Sequence, residues 1–223
     1  MHSALSDIEQ LLHVPSPCPG QLGLACDGPN LWVGSGDTRR IYGLDARNGA
    51  VFEEVTAPGK PYGMCVTGDA LRVIVAEDND DRYIRRYIFG KDFKSEKLPC
   101  PDLTGSFLAY DGDALFVSQR FDQRIVEIDA DGRVLRSIAM PRQITGITIA
   151  GGRIYTVGSS DTSDANYLLT RIDARRDVPE IVDLAAIGFV ARGLAFDGSR
   201  FWTNDRDAHA IVAFAVPGAG TEP

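Results

Sequence analysis

Apolar and polar positions alternate along this chain in short runs, and the runs recur with a turn glycine inside each one. They read LACDGPNLWV at Leu24 to Val33, MCVTGDALRV at Met64 to Val73, LAYDGDALFV at Leu108 to Val117, ITIAGGRIYT at Ile147 to Thr156 and LAFDGSRFWT at Leu194 to Thr203. Alternation of period two on either side of a Gly turn predicts a β-hairpin in each run. The turn glycines Gly28, Gly68, Gly112, Gly151 and Gly198 lie 40, 44, 39 and 47 residues apart. Short strands repeated at about forty residues predict a β-propeller, one blade per repeat.

A third strand follows each hairpin, at Arg40 to Asp45, Arg86 to Phe89, Arg124 to Asp129, Arg171 to Asp173 and, in the fifth repeat, Ile211 to Val216. A fourth closes four of the blades: Ala50 to Thr56, Phe93 to Leu98, Val134 to Ala139 and Glu180 to Leu184. The fifth repeat has none before the chain ends, whereas Ser6 to Pro15 precedes the first repeat as those fourth strands precede theirs. The prediction is therefore all-β: a five-bladed β-propeller of four-stranded antiparallel blades, its last blade completed by the N-terminal strand, which also covers a bare sheet edge. Blade limits are 20–58, 59–101, 102–141, 142–187 and 188–216 with 6–15, in one domain, followed by a flexible tail at 217–223. A short amphipathic helix over Ser6 to His13 is the alternative, since Ile8, Leu11 and Leu12 also fit helical spacing.

Composition narrows the partners. A net charge of −8 leaves no basic footprint, which argues against nucleic acid and anionic membranes. No run reaches membrane length and Met1 to Leu12 lacks signal-peptide character, so a cytoplasmic location is expected. The four cysteines lack CxxC spacing and the three histidines are scattered, so free buried thiols are expected, with no metal and no cofactor. The acidic run Glu77 to Arg82 lacks the spaced ligands of a calcium loop and reads as exposed. The polar stretch 159–165 is a candidate lid.

Trp32, Phe116, Tyr155 and Trp202 each stand four residues past a turn glycine, with Arg72 breaking the series in the second repeat. A position kept in phase from blade to blade predicts packing between sheets. Binding residues are sought instead where the repeats differ and face the axis. Those positions are Leu22, Tyr62, Ser106, Thr145 and Arg192 on the first strands, and Ser35, Glu77, Gln119, Gly158 and Asp205 where the second strands end. Tyr62, Ser106, Phe107, Gln119, Thr145, Ser35 and Arg192 are the candidate ligand contacts. Arg192 and Asp205 can pair, leaving Glu77 as a free base, and Glu77 and Asp205 are the candidate catalytic residues. Phe107 replaces the glycine of the other repeats and is expected to narrow the channel or wall a pocket. Two functions fit: a small polar or anionic molecule bound at the axial mouth, by an enzyme that needs no metal, or a non-catalytic protein-interaction scaffold using the same face.

The phrases Gly23-Leu-Ala-Cys-Asp-Gly-Pro-Asn-Leu-Trp-Val33 and Gly193-Leu-Ala-Phe-Asp-Gly-Ser-Arg-Phe-Trp-Thr203 resemble the propeller group that holds NHL repeats, virginiamycin B lyase, sugar lactonases and glutaminyl cyclotransferases. Within it, five blades resemble the plant- and bacterial-type glutaminyl cyclotransferases, which implies metal-free cyclisation of N-terminal glutamine. The chain departs from that family at its acid/base position, where Val33 stands in Leu31-Trp-Val-Gly-Ser35, and it lacks the Asn-Glu-Leu-Glu-type segment. The lactonase metal ligands do not map onto it either.

Overall fold

A computed structural model of the chain describes residues 5–159, 166–174 and 178–217. Its strands form five four-stranded antiparallel sheets. Blade 1 holds β2 (Gln21–Asp27), β3 (Asn30–Ser35), β4 (Arg40–Asp45) and β5 (Val51–Thr56), and blade 2 holds β6 (Lys60–Thr67), β7 (Ala70–Ala76), β8 (Arg82–Ile88) and β9 (Phe93–Pro99). Blade 3 holds β10 (Phe107–Tyr110), β11 (Leu115–Gln119), β12 (Arg124–Ile128) and β13 (Val134–Ala139); blade 4 holds β14 (Gln143–Ala150), β15 (Arg153–Ser159), β16 (Tyr167–Asp173) and β17 (Glu180–Ile187). Blade 5 is β18 (Ala191–Phe196), β19 (Phe201–Asp205) and β20 (Ala210–Phe214), completed by β1 (Gln10–Pro15).

The N-terminal segment is thus a strand and no helix. It pairs antiparallel with β20 from Gln10 opposite Phe214 to Pro15 opposite Ala210. It also reaches blade 4, where Ile8 donates to the Ala186 carbonyl at 2.9 Å and Ala186 donates to that of Ser6 at 2.9 Å. One segment therefore fastens two blades, and the buried side chains of Ile8 and Val14 anchor it. The third strands of blades 2 and 4 start earlier than the Arg-apolar cue suggests, at Arg82 and Tyr167. In blade 2 the cue occurs twice, at Arg82-Tyr83 and Arg86-Tyr87, and pairing of Ala76 with Arg82 selects the first.

The five inner strands meet around the axis at backbone distance. A Cβ on Gly63 would lie 2.2 Å from the Cα of Phe107, and one on Gly23 would lie 2.1 Å from the Tyr62 carbonyl oxygen. Register shifts beside these glycines, at Gln21/Leu24 and Pro61/Met64 and likewise in β14 and β18, mark bulges that bend the strands into the ring. Five apolar clusters then fill the wedges between neighbouring blades. The in-phase aromatics belong to them: Trp32 stacks on Phe89 at 5.0 Å between blades 1 and 2, and Tyr155 meets Phe201 at 4.8 Å between blades 4 and 5. Phe107 sits here too. It is buried with Phe116, Ile144 and Ile147 between blades 3 and 4, so it neither narrows the channel nor walls a mouth pocket. Because β10 begins at Phe107 and pairs with β11 without a register shift, the side chain turns into the wedge.

Candidate functional site

The starts of the inner strands and the loops after the second strands share one face. Among the expected mouth residues, Tyr62, Ser106 and Arg192 are partly exposed there. The Arg82 guanidinium lies 3.7 Å above the Tyr62 ring centroid, and the Arg120 backbone N–H reaches the Ser106 hydroxyl at 3.4 Å.

The remaining candidates serve the scaffold. Ser35 is fully buried, donating to the Pro19 carbonyl at 2.7 Å and accepting from the Thr38 N–H at 3.1 Å. Gln119 donates to the Pro101 carbonyl at 2.8 Å and the Thr104 hydroxyl at 2.7 Å, and its carbonyl oxygen accepts from Arg124. Thr145 is buried, its hydroxyl directed to the Val157 carbonyl at 3.3 Å.

Both expected catalytic carboxylates are committed elsewhere, which corrects the pairing drawn from spacing. Glu77 follows β7 and lies one residue beyond Ala76, the end of the paired hairpin; Val75, opposite Pro61, is the counterpart of Ser35. Its carboxylate turns outward along the blade and takes Arg85 at 3.0 Å and Lys97 at 2.6 Å. Asp205 is nearly buried and accepts the backbone N–H groups of Asp207 and Ala208 at 3.1 Å each, organising its own turn. Arg192 bonds instead to the Tyr167 hydroxyl, at 2.7 Å, and to the Ala191 carbonyl, at 3.1 Å.

Around Arg192 the tertiary structure gathers residues that repeat positions alone did not single out. Tyr167 stands at the start of β16, and Arg120 bonds Gln143 across the boundary between blades 3 and 4 at 3.0 Å. Burial, the Arg192 guanidinium and, to a lesser degree, Arg206 pull the Arg120 guanidinium below its ordinary pKa, with Tyr167 acting the other way. Arg120 thus lies within electrostatic reach of two other guanidiniums, and among the described residues none of the three has a carboxylate within ion-pair reach. Arg120 and Arg206 each stand eight residues past their turn glycines, Gly112 and Gly198. That shared offset is a signal in the sequence itself, one residue past the second-strand ends Gln119 and Asp205.

Arg120 also borders a cavity of about 190 Å³ between blades 2 and 3, together with Arg82, Ser106, Gln119, Phe121 and Asp122. Phe121 is 79% exposed, with the Arg120 guanidinium 5.5 Å from its ring centroid. At the other end the channel ends in a well of about 140 Å³ between the second halves of the inner strands, beside Cys26, Val66, Ile149 and Phe196. The four cysteines are free. Burial raises all four thiols, Cys100 to about 12, which leaves them protonated and poor nucleophiles. Among the described residues no three His, Cys, Asp or Glu side chains gather as a metal site.

Five four-stranded blades around an axial mouth define a five-bladed β-propeller. No protein-family model and no curated protein matches the chain. Its architecture is similar to that of the glutaminyl cyclase of Myxococcus xanthus, with a TM-score of 0.70 over 94% of this chain and 97% of that one, at 13% identity. It is also similar to the PQQ-bound aldose sugar dehydrogenase of Streptomyces coelicolor, with a TM-score of 0.62, 13% identity and coverage of 94% and 98%. The virginiamycin B lyase of Staphylococcus aureus follows, with a TM-score of 0.55, 19% identity and coverage of 91% and 68%. At such identities the likeness is one of fold. Among the described residues no helix is long and apolar enough to cross a membrane.

Proposed function

We propose that the protein binds a small molecule bearing a carboxylate or phosphate at the axial mouth, on the side formed by blades 3 to 5. The observation that carries this is that Arg120 lies within electrostatic reach of Arg192, which Tyr167 holds, and of Arg206, with no carboxylate partner for any of the three among the described residues. Like charges held together at a partly buried site repel, and an anion between them relieves that repulsion while taking charge-assisted hydrogen bonds. Tyr167 fixes the Arg192 guanidinium and Gln143 fixes that of Arg120, so little side-chain freedom is left to lose on binding. The exposed Phe121 ring offers an apolar flank beside Arg120 for the rest of the ligand. Glu77 and Asp205 are held in other contacts, so the proposal is one of binding, with Arg192 as the principal contact.

A thermal-shift screen of small carboxylates and phosphates tests this. A ligand at one hundred times its dissociation constant stabilises by about 2.7 kcal/mol, which raises the melting temperature of a chain this size by roughly 5–11 °C. Arg192→Ala should remove most of that shift and Arg206→Ala part of it. If every stabilising anion acts equally on wild type, Arg192→Ala and Arg120→Ala, the mouth is not the site.

A further inference from the structure

One wedge of the five lacks its aromatic. Trp32, Phe116, Tyr155 and Trp202 each fill the gap between their own blade and the next, whereas blade 2 presents Arg72. Next to it the boundary with blade 3 stays open as two adjoining cavities of about 440 and 110 Å³, both bordered by Arg72, Leu98 and Ala130. The strand register sets Arg72 on β7 directly opposite Arg86 on β8. Like charges paired across neighbouring strands destabilise a sheet. In the other blades the residue opposite the aromatic is Gly43, Glu127, Arg171 or Ala213, so no other blade sets two cations against each other there.

The charges around the cleft leave Arg72 uncompensated. Arg86 reaches Asp69 at 3.0 Å, and Lys97 is held by Glu77 at 2.6 Å. Lys94 also borders the larger cavity, opposed there by Glu96, and Asp113 borders the smaller one. Arg72 has no carboxylate within ion-pair reach among the described residues. A chain of net charge −8 therefore carries a local concentration of cations where its repeat calls for an aromatic ring. Departures from an otherwise consistent pattern are where function is expected to reside.

We propose that this inter-blade cleft binds a multiply charged phosphate-type oxyanion, with Arg72 and Arg86 as facing guanidiniums and Lys94 at the rim. The planar guanidinium presents N–H donors in the spacing of phosphate oxygens, and an anion between two of them turns their repulsion into attraction. Ile84 and Leu98 form an apolar wall on one side of the cleft. The cleft is separate from the mouth, which rests on blades 3 to 5.

Calorimetric titration of the full chain with pyrophosphate, and in parallel with inorganic phosphate, tests the proposal at low ionic strength. Wild type should bind pyrophosphate saturably and more tightly than phosphate, and affinity should fall as salt is added. Arg72→Tyr restores the aromatic of the other repeats. It should fold, melt above wild type without ligand, and bind at least about tenfold more weakly, the loss expected for a hydrogen-bonded charge. Arg72→Gln gives the same binding loss without the added ring, and covers the case in which tyrosine does not fit. Arg47→Ala, which removes an exposed guanidinium from the blade 1 turn outside both sites, should bind pyrophosphate as wild type does. No saturable binding, unchanged affinity in both Arg72 variants, or loss in Arg192→Ala alone would each overturn the proposal, and the last would move the anion to the mouth.

Discussion

Removing the Asp197 carboxylate isolates one clasp at the tip of blade 5 and tests how a repeat motif is converted into stability. One oxygen accepts the backbone N–H groups of Ser199 and Arg200, each at 2.9 Å, and the Ser199 hydroxyl at 2.8 Å; the other accepts Arg200 Nε at 2.9 Å and Trp202 Nε1 at 2.8 Å. These bonds do not add at face value. Arg200 is about one-third exposed, which discounts its ion pair, and water can replace the carboxylate at the turn N–H groups. Trp202 is fully buried, so its indole N–H would be left without a partner in Asp197→Ala. That orphaned donor, plus what remains of the turn and the ion pair, gives a loss of about 2–3 kcal/mol, or roughly 4–12 °C in melting temperature. Burial alone would raise the Asp197 pKa, but the bonds from Arg200, Trp202 and the turn N–H groups outweigh it and hold the carboxyl well below the usual carboxylate range. A depressed native pKa means that the ionic part of the stabilisation is present above the unfolded value of about 3.9 and is lost as pH falls below it toward the native value. Melting of wild type and Asp197→Ala, followed by circular dichroism at pH 7 and pH 3, should therefore show a gap that narrows in acid. A gap under about 2 °C at pH 7, or one equally wide at pH 3, would refute the reasoning.

The same motif in blade 1 supplies a gain-of-stability test. Trp32 Nε1 is buried without a partner, because Pro29 has no N–H for an Asx turn and Asn30 stands where blade 5 has Arg200. Adding Asn30→Arg to Pro29→Ser should raise the melting temperature above that of Pro29→Ser alone by about 2–4 °C, roughly 1 kcal/mol, with the gain absent in a Trp32→Phe background. Gly63→Ala would set a Cβ against the backbone of Phe107, where no side chain can give way, and should cost more than about 3 kcal/mol or prevent folding. Gly28→Ala meets open space at φ +56° and should cost only about 1 kcal/mol in denaturant unfolding.

The ring was legible because each blade announces itself locally. Period-two alternation about a turn glycine marks the hairpins, and counting the strands showed a fourth strand missing after the last repeat and a spare one before the first. The same counting failed at Glu77, where blade 2 runs a residue longer and the carboxylate comes to lie beside Arg85 and Lys97. It failed also for Arg192, whose partner is Tyr167 from the neighbouring blade and not Asp205 from its own. Side chains at a blade boundary choose among partners from two sheets, and sequence offset orders only one of them. Gln119 and Ser35 mislead for a related reason: polar residues at strand ends read as ligand contacts, yet each is spent on the backbone of an adjoining turn.

By itself the sequence determined the blade count, the strand order, the closure by the N-terminal strand and the packing role of the in-phase aromatics. These follow from alternation, spacing and turn chemistry, which act over a few neighbouring residues and repeat. Tertiary structure alone decided which charges meet. It brought Arg192 and Arg206 within electrostatic reach of Arg120, set Arg72 opposite Arg86 beside an open cleft, and withdrew Glu77 and Asp205 into the scaffold. Coulomb and hydrogen-bond energies depend on distances of a few ångströms between side chains, and those distances are fixed only when the five blades close on one another.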